Sequence, residues 1–325
     1  MTARGYGFAA ALVALLAAGD ALAQATYPEQ TVKILVGFSP GVAPDVTGRL
    51  LADKLAEAWG KPVVVENVTG AGGNIATERV ARAARDGHTL LMGGNSSLVF
   101  SPTLYDKLAY DPIKDFAPIS QIFVTANVLV VPPEVSAKSL PELVALARAQ
   151  PGKLTYAHAG AGTSQHLAAE LFKAMAQVDI QPVGYRGTTH LLPDLLAGRV
   201  TMSFANIVNA LPLVREGRLR AFAVTSVKRS VVAPDLPTMA EAGYPGFEAV
   251  PWFGLLAPAG TPPAIIDKVH RDTVRILAMP DVHKKLNDLG LDVIGGSPSE
   301  LAAVIQREIP QWAKVIKGAG IKVSE

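Results

Sequence analysis

Residues 31–59 read TVKILVGFSPGVAPDVTGRLLADKLAEAW. Thr31 to Phe38 is apolar and rich in β-branched residues, the composition of a buried strand. From Val46 onward, Val46, Leu50, Leu51, Leu55 and Trp59 recur at helical spacing. A strand therefore passes through the short loop Phe38-Ser39-Pro40-Gly41-Val42-Ala43-Pro44-Asp45 into an amphipathic helix. That βα unit decides the fold, because the chain repeats it.

Downstream, Pro62 to Val65 reads as a strand, Ile75 to Ala84 as a helix, and His88 to Met92 as a strand entered through the Asp86-Gly87 turn. A second series starts with a strand at Val128 to Val131. Ser139-Leu140-Pro141-Glu142 has capping-box spacing at a helix start. Leu154 to Ala157 is a strand, Ser164 to Met175 a helix, and Pro182 to Tyr185, Val200 to Ala205 and Ala221 to Thr225 are strands. Pro237 to Ala242 reads as a short helix and Phe247 to Leu256 as extended chain. The tail reads as helices at Pro263 to Leu277 and Val282 to Leu289, a strand at Leu291 to Ile294, and a long helix opened by Ser297-Pro298-Ser299-Glu300 and kinked at Pro310. Short apolar strands between amphipathic helices predict parallel pairing with both faces covered. The expected fold is α/β with two lobes, each a mostly parallel sheet flanked by helices. Extended crossings near Thr125 and Pro251 are the candidate hinges, so residues 27–125 plus 250–325 form one lobe and 126–249 the other. Such folds bind ligands between the lobes, at strand carboxyl ends and helix amino ends.

The loops at those ends supply the candidate site. In the first, Phe38, Gly41, Val42 and Ala43 precede a helix whose free N–H groups and dipole attract anions. Asp45 is a candidate ligand or water contact, or equally an N-cap. The second loop, Ala159 to His166, contributes Gly162, Thr163, Ser164 and His166, with His166 either donating to a carboxylate or packing on its own helix. Polar tips of other strands add Asn95 and Ser96, then Tyr185, Gly187 and Thr188, and finally Asn206. Arg186 is the one strong cation among them, available to ligand or to a salt bridge.

Bulk properties bound the rest. At the start, Arg4, the apolar run Phe8 to Ala18 and Ala21-Leu22-Ala23 occur in the order of a cleaved signal peptide covering residues 1–23, with a second cut position after Ala25. The run is too short to span a membrane, and no later segment has 18 consecutive apolar residues, so an exported, soluble, monomeric protein is expected. Lys and Arg number 30 against 28 Asp and Glu, and aromatics make up 6%, which argues against a nucleic-acid partner. There is no cysteine, hence no disulfide or thiolate chemistry. Gly70-Ala71-Gly72-Gly73-Asn74-Ile75 follows a strand, but Ile75 stands where a dinucleotide fingerprint needs a small residue. A Gly-Lys-Ser/Thr phosphate loop is missing. His166 and Glu170 share a helical face without a third metal ligand, and Ser164 lies outside a Gly-x-Ser-x-Gly elbow. No cofactor or metal is expected, and a hydrolase or lyase reading would rest on Ser164 and His166 alone.

Several ordered segments resemble the substrate-binding proteins of tripartite tricarboxylate transporters, the Bug or TctC periplasmic receptors. They are Tyr27-Pro28, Pro62 to Asn67, Gly70 to Asn74, Tyr110-Asp111-Pro112 with Lys114 to Pro118, Gly160-x-Gly162-x-Ser164-x-His166-Leu167-Ala168, Ala223 to Ser226, Pro237-Thr238 and Trp252-Phe253-Gly254. The resemblance implies a type II-like two-lobed receptor that closes on a small organic acid. It implies a ligand carboxylate held by backbone N–H groups and ordered waters of the first two loops. It further implies a periplasmic location and a membrane partner of one large and one small integral subunit; presentation of the ligand to a sensor kinase is the alternative output. The sequence departs from the family at three places. Val42 replaces a frequent second glycine, His158-Ala159 a frequent serine pair, and Ala205 a frequent Asp before Asn206. Because an unpaired buried ammonium is costly, the absent Asp points to an aliphatic or aromatic mono- or dicarboxylic acid rather than an amino acid.

Overall fold

The computed structural model describes residues 27–318, 320 and 321. The signal peptide and its cleavage positions lie outside them. The leading βα unit forms as its sequence requires. In β1 (Val32–Val36), Val32, Ile34, Leu35 and Val36 are all buried, so both faces of the strand are covered. Helix α1 (Ala43–Trp59) begins three residues before the apolar periodicity does, with extended Val42 as N-cap, Pro44 in its first turn and left-handed Gly60 closing its end.

Two sheets follow from repetition of this unit. Strands β2 (Val63–Asn67), β3 (Thr89–Gly94), β4 (Phe116–Thr125), β10 (Trp252–Pro258) and β11 (Leu291–Val293) join β1 in the order β11-β4-β10-β3-β1-β2. The second sheet runs β7-β6-β8-β5-β9, from β5 (Asn127–Val131), β6 (Thr155–His158), β7 (Gln181–Gly184), β8 (Met202–Asn206) and β9 (Arg220–Val224). Helices α2 (Asn74–Ala81), α3 (Leu140–Ala149), α4 (Ser164–Ala176), α5 (Thr188–Leu196), α6 (Ile207–Arg215), α7 (Pro263–Leu277), α8 (Pro280–Asp288) and α9 (Pro298–Gly318) flank them. The architecture is the expected two-lobed α/β fold. Within each sheet, pairing is mixed. β1 is parallel to β2 and β3, and β6 to β7 and β8. The strands where the chain crosses between sheets, β4, β5 and β10, pair antiparallel with their neighbours.

Successive strand residues feed opposite faces of each sheet. Ile34, Val36, Leu90, Met92 and Leu255 pack into one cluster, while Leu35, Leu91 and Leu256 pack into another. Leu129, Tyr156 and Phe204 do the same against Val128, Ala157 and Ala205 in the second sheet. Four elements escape the sequence pattern. Strand β4 is interrupted in sequence by Pro118, Ser120 and Gln121; the ladder accommodates the proline opposite Leu256, next to a register shift in β10. Helices α5 and α6 carry internal Pro193 and Pro212. Residues 96–104 form helical turns directly after β3. Conversely, Pro237 to Ala242 is a set of turns and not a helix. Thr238 and Glu241 do exchange capping hydrogen bonds of 2.9 and 3.1 Å, but positive-φ Gly243 and then Pro245 stop propagation. The last helix continues through Pro310 to Gly318.

Phe123 of β4 is fully buried and stacks on Phe253 of β10 with centroids 5.2 Å apart, joining the two crossing strands. Phe123→Ala should lower the unfolding free energy by about 3–5 kcal/mol, read as a lower urea midpoint with an unchanged m-value.

Candidate functional site

The carboxyl ends of β1, β2 and β3 in one sheet face those of β6, β7 and β8 in the other. Between them lies a cavity of about 570 Å³. Its rims touch. A Cβ built on Gly162 (φ 74°) would lie 2.7 Å from Leu104 Cδ1, and one on Gly187 (φ 139°) 3.1 Å from Ser39 Oγ. Glycine at these two positions permits both the backbone conformation and the close approach.

Of the residues proposed from sequence, Phe38, Val42, Ala43, Asn95, Ser96, Thr163, Ser164, Tyr185, Gly187, Thr188 and Asn206 line this cavity. Gly41, Asp45, Gly162 and His166 do not; Asp45, Gly162 and His166 are buried beside it, and Gly41 is exposed. Asp45 is 2% exposed. Its Oδ2 accepts from Gly41 N–H at 2.8 Å and from Arg49 Nε at 3.2 Å, and its Oδ1 accepts from Asn67 Nδ2 at 2.8 Å. Burial opposes its charge, but the Arg49, Gly41 and Asn67 hydrogen bonds outweigh burial and hold the carboxyl below the usual carboxylate range. It does not line the cavity, and the N-cap is Val42; Asp45 ties the first loop to its helix.

His166 takes the same part in the second loop. Its Nδ1 accepts from Gly162 N–H at 3.1 Å, and its ring stacks on His158 with centroids 4.4 Å apart. His158 Nδ1 in turn accepts from Gly160 N–H at 3.3 Å. Behind the two rings, Tyr156 donates to Glu170 at 2.5 Å and Lys173 pairs with Glu170 at 2.8 Å. Burial, then His158 and Lys173, push the His166 imidazole down to about 3, and burial lowers His158 against the opposing pull of Glu170. Both rings are therefore neutral acceptors at ordinary pH. Ser164 Oγ is bonded to Asn127 Nδ2 at 3.3 Å, not to a histidine. Among the described residues no three His, Cys, Asp or Glu side chains cluster as metal ligands would.

This scaffolding engages some loop amides and leaves others free. With Gly41, Gly160 and Gly162 N–H engaged by Asp45, His158 and His166, the N–H groups of Ser39, Val42 and Ala43 on one side and of Ala161, Ser164 and Gln165 on the other have no partner among the described residues. All six residues line the cavity. Ala43 and Ser164 are the first helical residues of α1 and α4, so two helix dipoles add to the cradle. Arg186 is the only charged residue on the cavity wall among those described. The site therefore suits an anion.

Sequence reasoning missed part of the wall. Thr69 to Gly72 contributes a whole loop, whose glycines in sequence match a family segment and fail a dinucleotide fingerprint without pointing to the cavity. Asn127, Asn209, Tyr105 and Phe253 also line the cavity, and their sequence neighbours gave no signal because each lies in or beside an apolar element.

Because the folded state keeps both histidines neutral, the stability they contribute is complete above about pH 6.5 and is lost as pH falls from there towards 3. The melting temperature should fall over that window. In His166→Asn, whose Oδ1 stands in for Nδ1, the fall should be shallower than in the unaltered protein.

A family profile described as the tripartite tricarboxylate transporter family receptor matches residues 47–321. Protein BugT of Bordetella pertussis is 37% identical over 299 residues, covering 92% of each chain. Two solved structures are also similar. Rpa4515 of R. palustris, described with adipate, has a TM-score of 0.87 and 36% identity, covering 91% of this chain and 99% of that one. MatC (Rpa3494) of Rhodopseudomonas palustris, described with bound malate, has a TM-score of 0.84 and 37% identity, covering 89% and 100%. With the two-sheet fold and the matched length, these similarities show that the chain belongs to the tripartite tricarboxylate transporter receptor family, the Bug or TctC receptors.

Proposed function

We propose that this chain is a periplasmic receptor that captures a small organic carboxylate, aliphatic or aromatic, and delivers it to a transporter with one large and one small integral membrane subunit. The observation that carries this reading is the pair of amide sets, Ser39, Val42 and Ala43 against Ala161, Ser164 and Gln165, which have no partner among the described residues and lie at two helix starts in a cavity that none of the described acidic residues lines. A carboxylate accepts hydrogen bonds in several directions, and N–H donors fixed by the fold need little reorganisation to meet it. The relatives described with adipate and with malate, both carboxylates, support the same class.

In this reading residues 1–23 are the export signal. Residues 27–125 plus 250–325 form one lobe and 126–249 the other, and they close because the ligand binds both amide sets only in the closed form. Binding involves no covalent step: Ser164 bonds to Asn127 and His166 to Gly162, which leaves no paired nucleophile and base. With Ala205 beside Asn206 and no carboxylate on the wall, an amino acid's ammonium group would be unpaired there.

Proline at the first helical position keeps a helix intact while deleting its N–H. Ala43→Pro and Ser164→Pro should thus each weaken carboxylate binding by about tenfold to a hundredfold, the worth of one hydrogen bond to a charged group, with circular dichroism unchanged. Calorimetry of the mature protein should detect simple mono- or dicarboxylic acids and neither glutamate nor aspartate. Binding of the amino acids without the simple acids would overturn the assignment.

A further inference from the structure

A third helix start opens on the cavity. Helix α5 follows β7 through Tyr185, Arg186 and Gly187, and Gly187 is its N-cap, with no side chain to engage the first N–H groups. Gly187 and Thr188 both line the cavity, and their N–H groups have no partner among the described residues. Thr188 is 9% exposed. Its Oγ1 also lacks a hydrogen bond among the described residues, yet it is not sealed away from the cavity that Thr188 lines. Arg186 lines the same stretch of wall, is exposed, and makes neither a hydrogen bond nor an ion pair with the described residues.

The backbone that carries these donors is held on several sides. Tyr185 N–H donates to His158 O at 2.9 Å, and Tyr185 Oη donates to Asp194 Oδ2 at 2.9 Å. Asp194 is also paired with Arg199 at 2.6 Å, so the acid on α5 is already engaged. The turn adjoins both cradle loops: a Cβ built on Gly160 would lie 3.8 Å from Tyr185 O, and one on Gly187 3.1 Å from Ser39 Oγ.

Counting donors separates this group from the cradle. A carboxylate accepts at about four lone-pair sites. The cradle alone offers the N–H groups of Ser39, Val42, Ala43, Ala161, Ser164 and Gln165. A single carboxylate therefore leaves Arg186, Thr188 and the first amides of α5 unanswered. A guanidinium, a hydroxyl and helix-start N–H groups are all donors that hold an anion. None of the described acidic residues lines the cavity to supply one. A second carboxylate on the ligand does, and a cavity of about 570 Å³ has room for the chain that joins the two.

We infer that Arg186 and Thr188, at the start of α5, form a second anion subsite, so that the preferred cargo is a dicarboxylate with one carboxylate in the cradle and the other on Arg186. This rests on the carboxylate reading above and narrows it.

Pairs of acids with equal carbon number test it by calorimetry on the mature protein: succinate against butyrate, glutarate against pentanoate, and adipate against hexanoate. In at least one pair the diacid should bind about tenfold to a hundredfold more tightly, the worth of hydrogen bonds to a charged group. Arg186→Gln should remove most of that advantage by weakening the diacid and not the monoacid, and Thr188→Val should remove part of it. Added salt should shrink the advantage in the unaltered protein more than in Arg186→Gln. Equal binding within every pair overturns the subsite and leaves the carboxylate reading standing. A diacid advantage that survives in Arg186→Gln, or a loss that the monoacid shares equally, overturns Arg186 as the second anchor. Binding of no member of any pair overturns the carboxylate reading and this inference with it.

Discussion

Backbone N–H groups that begin a helix have no acceptor within it, and their disposal governs this structure. Around the cavity, some are engaged by side chains from behind and others are left facing inward. Asp45 takes Gly41 N–H, His158 takes Gly160 N–H, and His166 takes Gly162 N–H. The unengaged ones belong to Ser39, Val42 and Ala43 and to Ala161, Ser164 and Gln165, which line one cavity from two sheets. Asp45, His158 and His166 therefore shape the cavity through the loop backbone they hold.

That arrangement is consistent with a cavity that is electropositive without a cluster of cations. Six unpartnered amides and two helix starts stand where a surface site would use a salt bridge, and Arg186 is the single formal charge on the wall among the described residues. Neutral donors fixed by hydrogen bonds behind them are already oriented before ligand arrives. The network of buried Tyr156, His158, His166 and Glu170 with half-buried Lys173 fits the same arrangement, since it holds one loop from residues that do not line the cavity.

Much of the fold was legible from periodicity. The unit β1–α1 shows both signatures in one stretch, because a strand buried on both faces must be continuously apolar and a surface helix must be striped. Where elements were missed, a local feature masked them. Pro118, Ser120 and Gln121 broke the apolar run of β4, and prolines interrupted α5 and α6. Where a helix was expected and turns formed, at Pro237 to Ala242, the start signal was real but Gly243 ended it. The antiparallel pairs were invisible because strand direction depends on where the chain crosses between sheets, not on the composition of a strand.

The sequence by itself marked two of the loops that surround the cavity, Phe38 to Asp45 and Ala159 to His166, because small and glycine-bearing residues lie there between a strand and a helix start. It did not determine which residues of those loops face inward. His166 and Asp45 looked like ligand contacts because they are polar and sit at helix starts; their side chains turn back because the loop amides of Gly162 and Gly41 are closer acceptor-seeking partners. Nor did it reveal that Asn127 meets Asn206 on the cavity wall, a pairing set only by the register of an antiparallel ladder between strands distant in the chain. Local pattern sets the element and its loop, but side-chain direction and long-range pairing are properties of the packed fold, and the tertiary structure alone decides them.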